Sequence, residues 1–393
     1  MHVEILPRIA DVDAATWDTL VGEGCPFFEH GFLSAMEDAG CVGGDSGWTP
    51  RHLVLYDGAA PVAAATAYRK THSQGEFIFD WGWAEAAQRA GIPYFPKLII
   101  AAPFSPVGGV RLHVGDACPP ERALALRAAL IGAMGELARS ERLTGIHGLF
   151  LDPAETAAFE VQGFAVRHTV QFHWRREGAR TFDDFLARFD SKRRHQIRRE
   201  RRVVREAGVT TRVLTGDDLL PGMAPLLHTL YVNTVDKFAW GRRYLNPQFF
   251  ELLLSRWRHR LLVILAEREG RIVGGTINGA KGGVLYGRYW GALPGLGVEV
   301  DIPFLHFEVC SYAGIEVCIE RGFERFEAGA GGGEHKSGRG FEPTIVRSAH
   351  RLAHGGLQRA VDAFVASERQ ALAEELAEMG TGRKDEKTRK AGD

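Results

Sequence analysis

The chain has 393 residues. That length allows two domains, because one hydrophobic core rarely grows beyond about 250–300 residues. Apolar residues make up 45% and charged residues 25% of the chain, as in ordinary globular proteins. The formal net charge of −1 excludes a general attraction to nucleic acid or membranes, so any affinity for a polyanion must be local.

The five cysteines are widely spaced and form no CxxC pair. This spacing argues against a disulfide framework or a zinc ribbon, so we expect no metal site and a reducing compartment. The N-terminus has no basic segment followed by an apolar one, and no run of 18 apolar residues predicts a membrane span. We therefore expect a cytoplasmic protein.

The first half of the chain alternates between strand and helix patterns. Apolar runs, turn residues and helical spacing predict strand 2–6, a helix after Asp13, helix 30–39, a hairpin over 52–68, helix 121–142 and strand 145–152. The hairpin turns at Asp57 and Gly58, the pair typical of a tight turn.

The second half repeats this order of elements. Residues 261–280 form a second hairpin pattern, and Ile272-Val273-Gly274-Gly275-Thr276 matches Val62-Ala63-Ala64-Ala65-Thr66. A strand, a helix and another strand follow each hairpin. We infer two copies of one α/β unit, over residues 1–177 and 178–365. Residues 366–393 are predicted to be a charged tail whose end is disordered.

A strongly basic helix is predicted over residues 183–207, at the start of the second unit. Four apolar residues form a narrow stripe for docking, and eight cations crowd fourteen positions. A charge run is usually a solvated face, but this density favours an anionic partner such as an RNA backbone. The cations that we assign to RNA or phosphate are Lys192, Arg193, Arg194, Arg198, Arg199 and Arg202.

Chemistry is predicted in the stretch 301–341. A helix begins near Asp301 and ends at Gly322, a strand follows over 325–330, and a glycine-rich loop contains Glu334, His335 and Lys336. Glycine allows backbone N–H groups to approach an anion, and the cations can hold a phosphate. The alternative is a mobile surface loop.

Several segments together resemble Fem-type acyltransferases, in which two acetyltransferase-like (GNAT) units stand in tandem. The segments are PFFEHGFLSAMEDAGCV (26–42), FDWGWAEAAQRAGIPYFPKLIIAAPFSPVGGVRL (79–112), SKRRHQIRRERRVVREAGV (191–209), DKFAWGRRYLNPQFFELL (236–253), LYGRYWGAL (285–293) and the stretch 301–341. The bacterial family that matches is that of peptidoglycan biosynthesis/recognition proteins, or predicted N-acyltransferases. One departure is GAGGGEHK, which is one residue longer than the usual form.

The resemblance implies an α/β (α+β) fold of two tandem GNAT-like units, each a mixed sheet flanked by helices. It also implies transfer of an acyl or aminoacyl group to an amine, in a cell-wall precursor or another small-molecule or peptide acceptor. We expect aminoacyl-tRNA, or else acyl-CoA, as co-substrate and no tightly bound cofactor. A third possibility is a non-catalytic protein that binds peptidoglycan or RNA.

Acyl transfer to an amine requires a proton acceptor and donors for the oxyanion. For the catalytic roles we select Asp80, Tyr289, His306, Glu327, Glu334 and His335. For donor binding we select Arg288, Trp290, Gly331, Gly332, Gly333, Lys336 and Arg339.

Two of these choices carry specific expectations. The tryptophans beside Asp80 are expected to raise the pKa of its carboxyl group, unless Asp80 merely caps the next helix. Strand alternation is expected to place Arg288 and Trp290 on one face and Tyr289 on the other. Tyr289 is either a proton donor to a leaving group or an ordinary core tyrosine.

Overall fold

The structure, a computed structural model, describes residues 1–237, 241–293, 302–331 and 333–389. The strands are β1 His2–Leu6, β2 Trp48–Pro50, β3 His52–Asp57, β4 Ala60–Ala65, β5 Ala67–Lys70, β6 Lys97–Ile100, β7 Leu112–His113, β8 Gly145–Leu151, β9 Ala165–Arg175, β10 Val209–Thr215, β11 Leu261–Arg268, β12 Arg271–Lys281, β13 Val284–Ala292, β14 Arg325–Glu327 and β15 Glu342–Leu352. The helices are α1 Ala14–Val21, α2 His30–Asp38, α3 Trp81–Arg89, α4 Pro120–Ser140, α5 Pro153–Val161, α6 Phe182–Leu186, α7 Ser191–Glu206, α8 Ala224–Val235, α9 Pro247–Arg256, α10 Leu305–Phe307, α11 Ala313–Glu320, α12 Glu334–Ser337 and α13 Gly355–Arg389. A π-helical turn, Glu308–Tyr312, joins α10 to α11.

Within the described residues the strands form two sheets. The smaller sheet has the order β1-β3-β4-β7, and the larger, eleven-stranded sheet has the order β10-β11-β12-β13-β14-β9-β15-β8-β6-β5-β2. The pairs β6–β8 and β13–β14 are parallel, and a helical crossover joins the strands of each pair, as parallel pairing requires. The predicted α/β class, with helices flanking mixed sheets, is confirmed.

The tandem arrangement of two GNAT-like units is also confirmed. In the first unit β6, α4, β8, α5 and β9 follow one another, and in the second β13, α10–α11, β14, α12 and β15 do so. Both segments run from a strand through a helix to a parallel neighbour, then through another helix to a long strand. The predicted limits of the two units stay a prediction.

The two units exchange their last strands, which the sequence did not indicate. β9 of the first unit pairs with β14 and β15 of the second, and β15 pairs with β8 of the first. The eleven-stranded sheet is therefore shared rather than divided between the units. Pairing across so many residues leaves no local pattern in a sequence, because periodicity reports only which face of a strand is buried.

Some predicted element boundaries differ from the structure. The basic helix is broken into α6 and α7, because the Asp190 carboxylate accepts the Arg193 backbone N–H and caps a new helix. The helix expected from Asp301, which lies outside the described residues, begins at Leu305 after Phe304 in the left-handed conformation.

Further differences concern the end of the chain. The predicted strand 325–330 ends at Glu327, and His335 and Lys336 lie in α12 rather than in a loop. The predicted tail boundary at residue 366 falls inside α13, and Glu368 of α13 pairs with Arg167 of β9 at 2.7 Å. No helix within the described ranges has the length and apolar character needed to cross a membrane.

We predict that Gly291→Ala destabilises the protein by about 1–3 kcal/mol through overpacking. A Cβ at Gly291 of β13 would lie 2.3 Å from the Leu230 carbonyl oxygen and 2.7 Å from its Cα, both in the backbone of α8. The control Gly132→Ala lies within α4, where a Cβ has no neighbour within 4 Å and should stabilise by up to about 1 kcal/mol. Urea unfolding would measure both, and an unchanged midpoint in Gly291→Ala would contradict this account.

Candidate active site

The cleft begins where β13 and β14 part. The two strands pair only from Val284 to Tyr286 of β13, whereas β13 continues to Ala292 against β12. The backbones are still close at the point of divergence. A Cβ added at Gly329 would lie 3.1 Å from the Gly287 carbonyl oxygen. Beyond that point the parting strands leave room for side chains of α10 and α12.

Lys336 of α12 holds the loop that follows β14. Its Nζ donates hydrogen bonds to the carbonyl oxygens of Ala328 and Gly329, both at 3.0 Å. Burial lowers the pKa of Lys336 to about 8, and the Cys310 thiol opposes that effect. Since an ammonium group has three N–H donors, one remains for a ligand.

His306 of α10 lies against aromatic rings. The centroid of its imidazole lies 4.7 Å from that of Trp290, and Lys237 Nζ lies 4.6 Å above the same indole. Burial, together with the nearby His335, Arg339, Lys237 and Lys336, lowers the pKa of His306 to about 4. His306 is therefore a neutral imidazole at pH 7 in a cationic environment.

We call this group the His306 cleft: Lys237, Trp290, His306, His335 and Lys336. Four of the five come from the predicted site, namely Trp290, His306, His335 and Lys336. Lys237 was missed, although it lies in one of the segments that carry the family resemblance. Glu334 begins α12, and Gly331 and Gly333 belong to the loop before it, whereas Gly332 lies outside the described residues.

Arg288 and Tyr289 lie apart from this cleft, and the predicted alternation is wrong at this point. The register shifts so that Ile277 opposes Tyr289 while Asn278 opposes Gly287, which leaves Arg288 as a bulged residue. A bulge breaks the two-residue alternation of a strand. Arg288 donates to the Phe104 carbonyl oxygen at 2.5 Å and Tyr289 packs edge-on against Tyr231, so both serve contacts outside the cleft.

Glu327 joins the two units. Its side chain is 2% exposed, and its Oε2 accepts the Gly108 backbone N–H at 3.0 Å. Arg325 lies 3.1 Å from its Oε1. The buried acid thus has a partner in each unit, although its Oε1 accepts no hydrogen bond from the described residues, and the catalytic role of Glu327 stays a prediction.

Asp80 is far from these residues. Its carboxylate pairs with Lys97 of β6 and accepts the Tyr94 hydroxyl at 2.7 Å. β6 lies four strand spacings from β14, about 19 Å at about 4.8 Å each. The predicted rise in the pKa of Asp80 is wrong: burial raises it, but the Lys97 ammonium outweighs that effect and holds it well below its usual value. Asp80 precedes α3, yet its side chain does not cap that helix.

Buried ion pairs attach α7 to the cleft. Glu200 of α7 accepts hydrogen bonds from Arg339 at 2.8 Å and from the Tyr312 hydroxyl at 2.5 Å. The Arg339 guanidinium also lies 3.2 Å above the ring of Phe307, next to His306. Arg201 pairs with Glu308 at 2.9 Å. Arg339, predicted to bind the donor, therefore anchors α7.

The outer face of α7 presents its cations to solvent. Lys192, Arg198, Arg199 and Arg202 are exposed, whereas Arg193 and Arg194 are half-buried and bonded to neighbouring groups of the chain. Arg198 lies 3.1 Å from Asp183 and Arg202 lies 3.8 Å from Glu206, and both ion pairs are exposed. Four of the six cations assigned to RNA or phosphate thus face solvent, and for two of them an anionic partner would compete with an exposed ion pair.

Among the described residues, no group of three or more histidines, cysteines or acids is placed to hold a metal ion. The cleft instead offers a neutral imidazole, ammonium groups and an indole surface. These groups suit the binding of an anionic ligand and the acceptance of one proton.

Solved structures with a similar fold share little sequence with this chain. FemX aligns over 92% of this chain and 100% of its own, with a TM-score of 0.52 and 10% identity. L-PGS from Bacillus licheniformis aligns over 84% and 95%, with a TM-score of 0.50 and 9% identity. A conserved protein of unknown function from Bacteroides thetaiotaomicron aligns over 89% and 99%, with a TM-score of 0.50 and 13% identity. At such identities these likenesses concern the fold alone.

Sequence comparison gives two further results. No curated protein matches the chain. The model of the FemAB-like family, described as peptidoglycan biosynthesis/recognition, matches residues 8–384. This match spans both units and the cleft between β13 and β14. The chain therefore belongs to the FemAB-like peptidoglycan biosynthesis/recognition family.

Proposed function

We propose that the protein is a Fem-like N-acyltransferase that moves an aminoacyl group from aminoacyl-tRNA to an amine of a cell-wall precursor. The observation that carries this proposal is the attachment of α7 to the His306 cleft, through Glu200–Arg339 and Arg201–Glu308. A tRNA partner and a cytoplasmic location belong to the proposal. Aminoacyl-tRNA acts in it as co-substrate, with no tightly bound cofactor.

The arrangement suits a donor that carries negative charge over a long surface. Phosphates of a nucleic acid would contact the exposed cations of α7, where each contact contributes through the release of counterions. The charged end of the donor would reach Lys336 and Lys237 in the cleft, which lies directly beside the inner face of α7. A small acyl donor would leave the outer face of α7 unused.

The chemistry that we propose is direct attack of the acceptor amine on the acyl carbonyl carbon. The new C–N bond forms as the carbonyl π bond opens, and the amine proton becomes acidic. Neutral His306 accepts that proton, and Lys336 stabilises the oxyanion. Collapse of the intermediate breaks the C–O bond to the donor ribose, and His306 returns its proton to the departing ribose oxygen, which leaves as a hydroxyl group. Bound phosphates would offset the surrounding cations and raise the pKa of His306 toward a useful value.

An acyl-CoA donor is the second candidate. The divergence of β13 and β14 favours it, because a pantetheine-like chain can lie between parting strands and bond to their free backbone groups. Its pyrophosphate would use the same lysines as the phosphates of tRNA. The two donors therefore differ chiefly in whether they need α7.

The basic face of α7 gives the first prediction. Charge reversal of Arg198, Arg199 and Arg202 to Glu should weaken tRNA binding. It should also make the slope of log K against log [salt] less steep by about 2–3. The matched control reverses the exposed Arg271, Arg321 and Arg359 and should leave that slope unchanged. Fluorescence anisotropy with labelled tRNA measures both. Equal affinities in the two variants, with a thermal shift caused by acetyl-CoA alone, would favour the acyl-CoA donor.

Lys336 gives a prediction of pH dependence. Its pKa is lowered from 10.5 to about 8, so its charge is present at pH 7 and is lost as the pH rises toward 9. Affinity for aminoacyl-tRNA should fall over that range in the wild type. In Lys336→Arg it should stay flat, because a guanidinium keeps its charge. Parallel curves for the two proteins would show that Lys336 does not contact the donor.

His306 gives a prediction that separates chemistry from binding. His306→Ala should lower the rate of aminoacyl transfer by about 10²–10⁴-fold while tRNA affinity stays unchanged. The exposed His259 serves as control, since His259→Ala should retain the wild-type rate. The assay follows labelled amino acid from tRNA to a cell-wall precursor peptide. A wild-type rate in His306→Ala would remove His306 from the mechanism, and binding without any transfer would indicate a non-catalytic protein.

A further inference from the structure

A second cavity lies in the first unit, away from the His306 cleft. It is open to solvent and has a volume of about 580 Å³ between α3, the segment after β5 and the segment before β6. Small-molecule sites in proteins usually measure about 300–1,000 Å³. One face of α3 borders the cavity, with Trp81, Ala84, Glu85 and Gln88 at helical spacing.

The cavity combines an aromatic surface with amide groups. The Trp81 side chain is 56% exposed and packs against Phe79, with ring centroids 4.5 Å apart. An exposed indole held by a second ring is a rigid stacking surface, and such exposed apolar groups often mark binding sites. Gln74 and Gln88 add amide side chains to the same wall.

The lining favours neither an anionic nor a cationic ligand. No Lys or Arg is among the described residues that line the cavity, and the neighbouring Arg242 already donates to Gln74 Oε1. The one carboxylate, Glu85, already pairs with Arg89 at 3.0 Å. Amide groups both donate and accept hydrogen bonds, which is what hydroxyl groups require. An aromatic and amide lining of this kind matches a neutral polyhydroxy ring.

Buried charges fix the polar part of the wall. Lys97 is fully buried and donates to Ser73 Oγ at 3.1 Å and to Glu76 at 2.9 Å. Tyr94 donates to Asp80, the carboxylate that also pairs with Lys97. Ser73 and Tyr94 both line the cavity, so this network holds the wall in one geometry before any ligand arrives.

We propose that this cavity binds a neutral saccharide, stacked on Trp81 and hydrogen-bonded by Gln74 and Gln88. Assigning that saccharide to the acyl acceptor rests on the proposed function, whereas the binding site itself stands on the cavity alone. The acceptor would then be a glycan-bearing precursor whose amine reaches the His306 cleft.

Two residues that are close in sequence, Arg242 and Lys237, contact the two sites. Arg242 of the second unit donates to Gln74 Oε1 at 2.6 Å, which directs the Gln74 amide N–H groups elsewhere. Lys237, five residues earlier, lies over Trp290 in the His306 cleft. Five residues span at most about 18 Å between Cα atoms. The contacts Arg242–Gln74 and Lys237–Trp290 thus come from residues whose Cα atoms lie at most that far apart.

The test is a titration of the intact protein with N,N′-diacetylchitobiose, followed by tryptophan fluorescence and calorimetry, with no donor present. We expect saturable binding that is insensitive to salt, because the ligand is neutral. Trp81→Ala should weaken it about tenfold. Phe364→Ala removes an exposed ring outside the cavity and should change nothing.

A further variant tests which side chains hold the ligand. Glu85→Gln should keep the wild-type affinity for the disaccharide, and a loss of binding there would show that the Glu85 carboxylate, rather than Gln74 and Gln88, bonds to the hydroxyl groups and would overturn the proposed mode of binding. Absence of saturable binding, or equal binding by Trp81→Ala, would also overturn it. A urea midpoint of Trp81→Ala equal to that of the wild type shows that the variant is folded. Because tRNA binding is measured separately, failure here leaves the donor assignment standing.

Discussion

The exchange of strands between the two units is the constraint on which the rest of the structure depends. β9 lies between β14 and β15, so backbone hydrogen bonds run from one unit into the other without a break. Separating the units would leave rows of N–H and C=O groups without partners at two new sheet edges. Because β14 is held within this shared region, the point where β13 separates from β14 is fixed. The position of the cleft is fixed with it.

Buried ion pairs likewise fix the position of α7, the helix beside the cleft. Glu200 and Arg339 are 3% and 6% exposed, so the removal of either would leave a buried charge without its partner. Their pairing holds α7 against α12, and it adds a cation that depresses the pKa of His306. A residue that positions the basic helix therefore also contributes, after burial, to the low pKa of the imidazole.

The sequence predicted what depends on neighbouring residues. Hydrophobic spacing and turn residues gave β1, the β3–β4 hairpin and α4 nearly at their observed limits, and the stretch 301–341 contained His306, His335 and Lys336. The errors arose where distant residues meet. Lys97 reverses the expected pKa shift at Asp80, and a bulge at Arg288 breaks the expected alternation of β13. None of these pairings has a local signature, since each depends on the completed sheet.

The strand exchange also determines the order of events during synthesis. β8 pairs with β15, which leaves the ribosome about 200 residues later, some 10–40 s at usual rates of translation. Throughout that interval the first unit has an open edge at β8, and β9 lacks both of its neighbours. Such edges invite pairing with other nascent chains. The strand exchange that joins the two units in the finished protein thus places the greatest risk of aggregation during translation, before β15 has been synthesised.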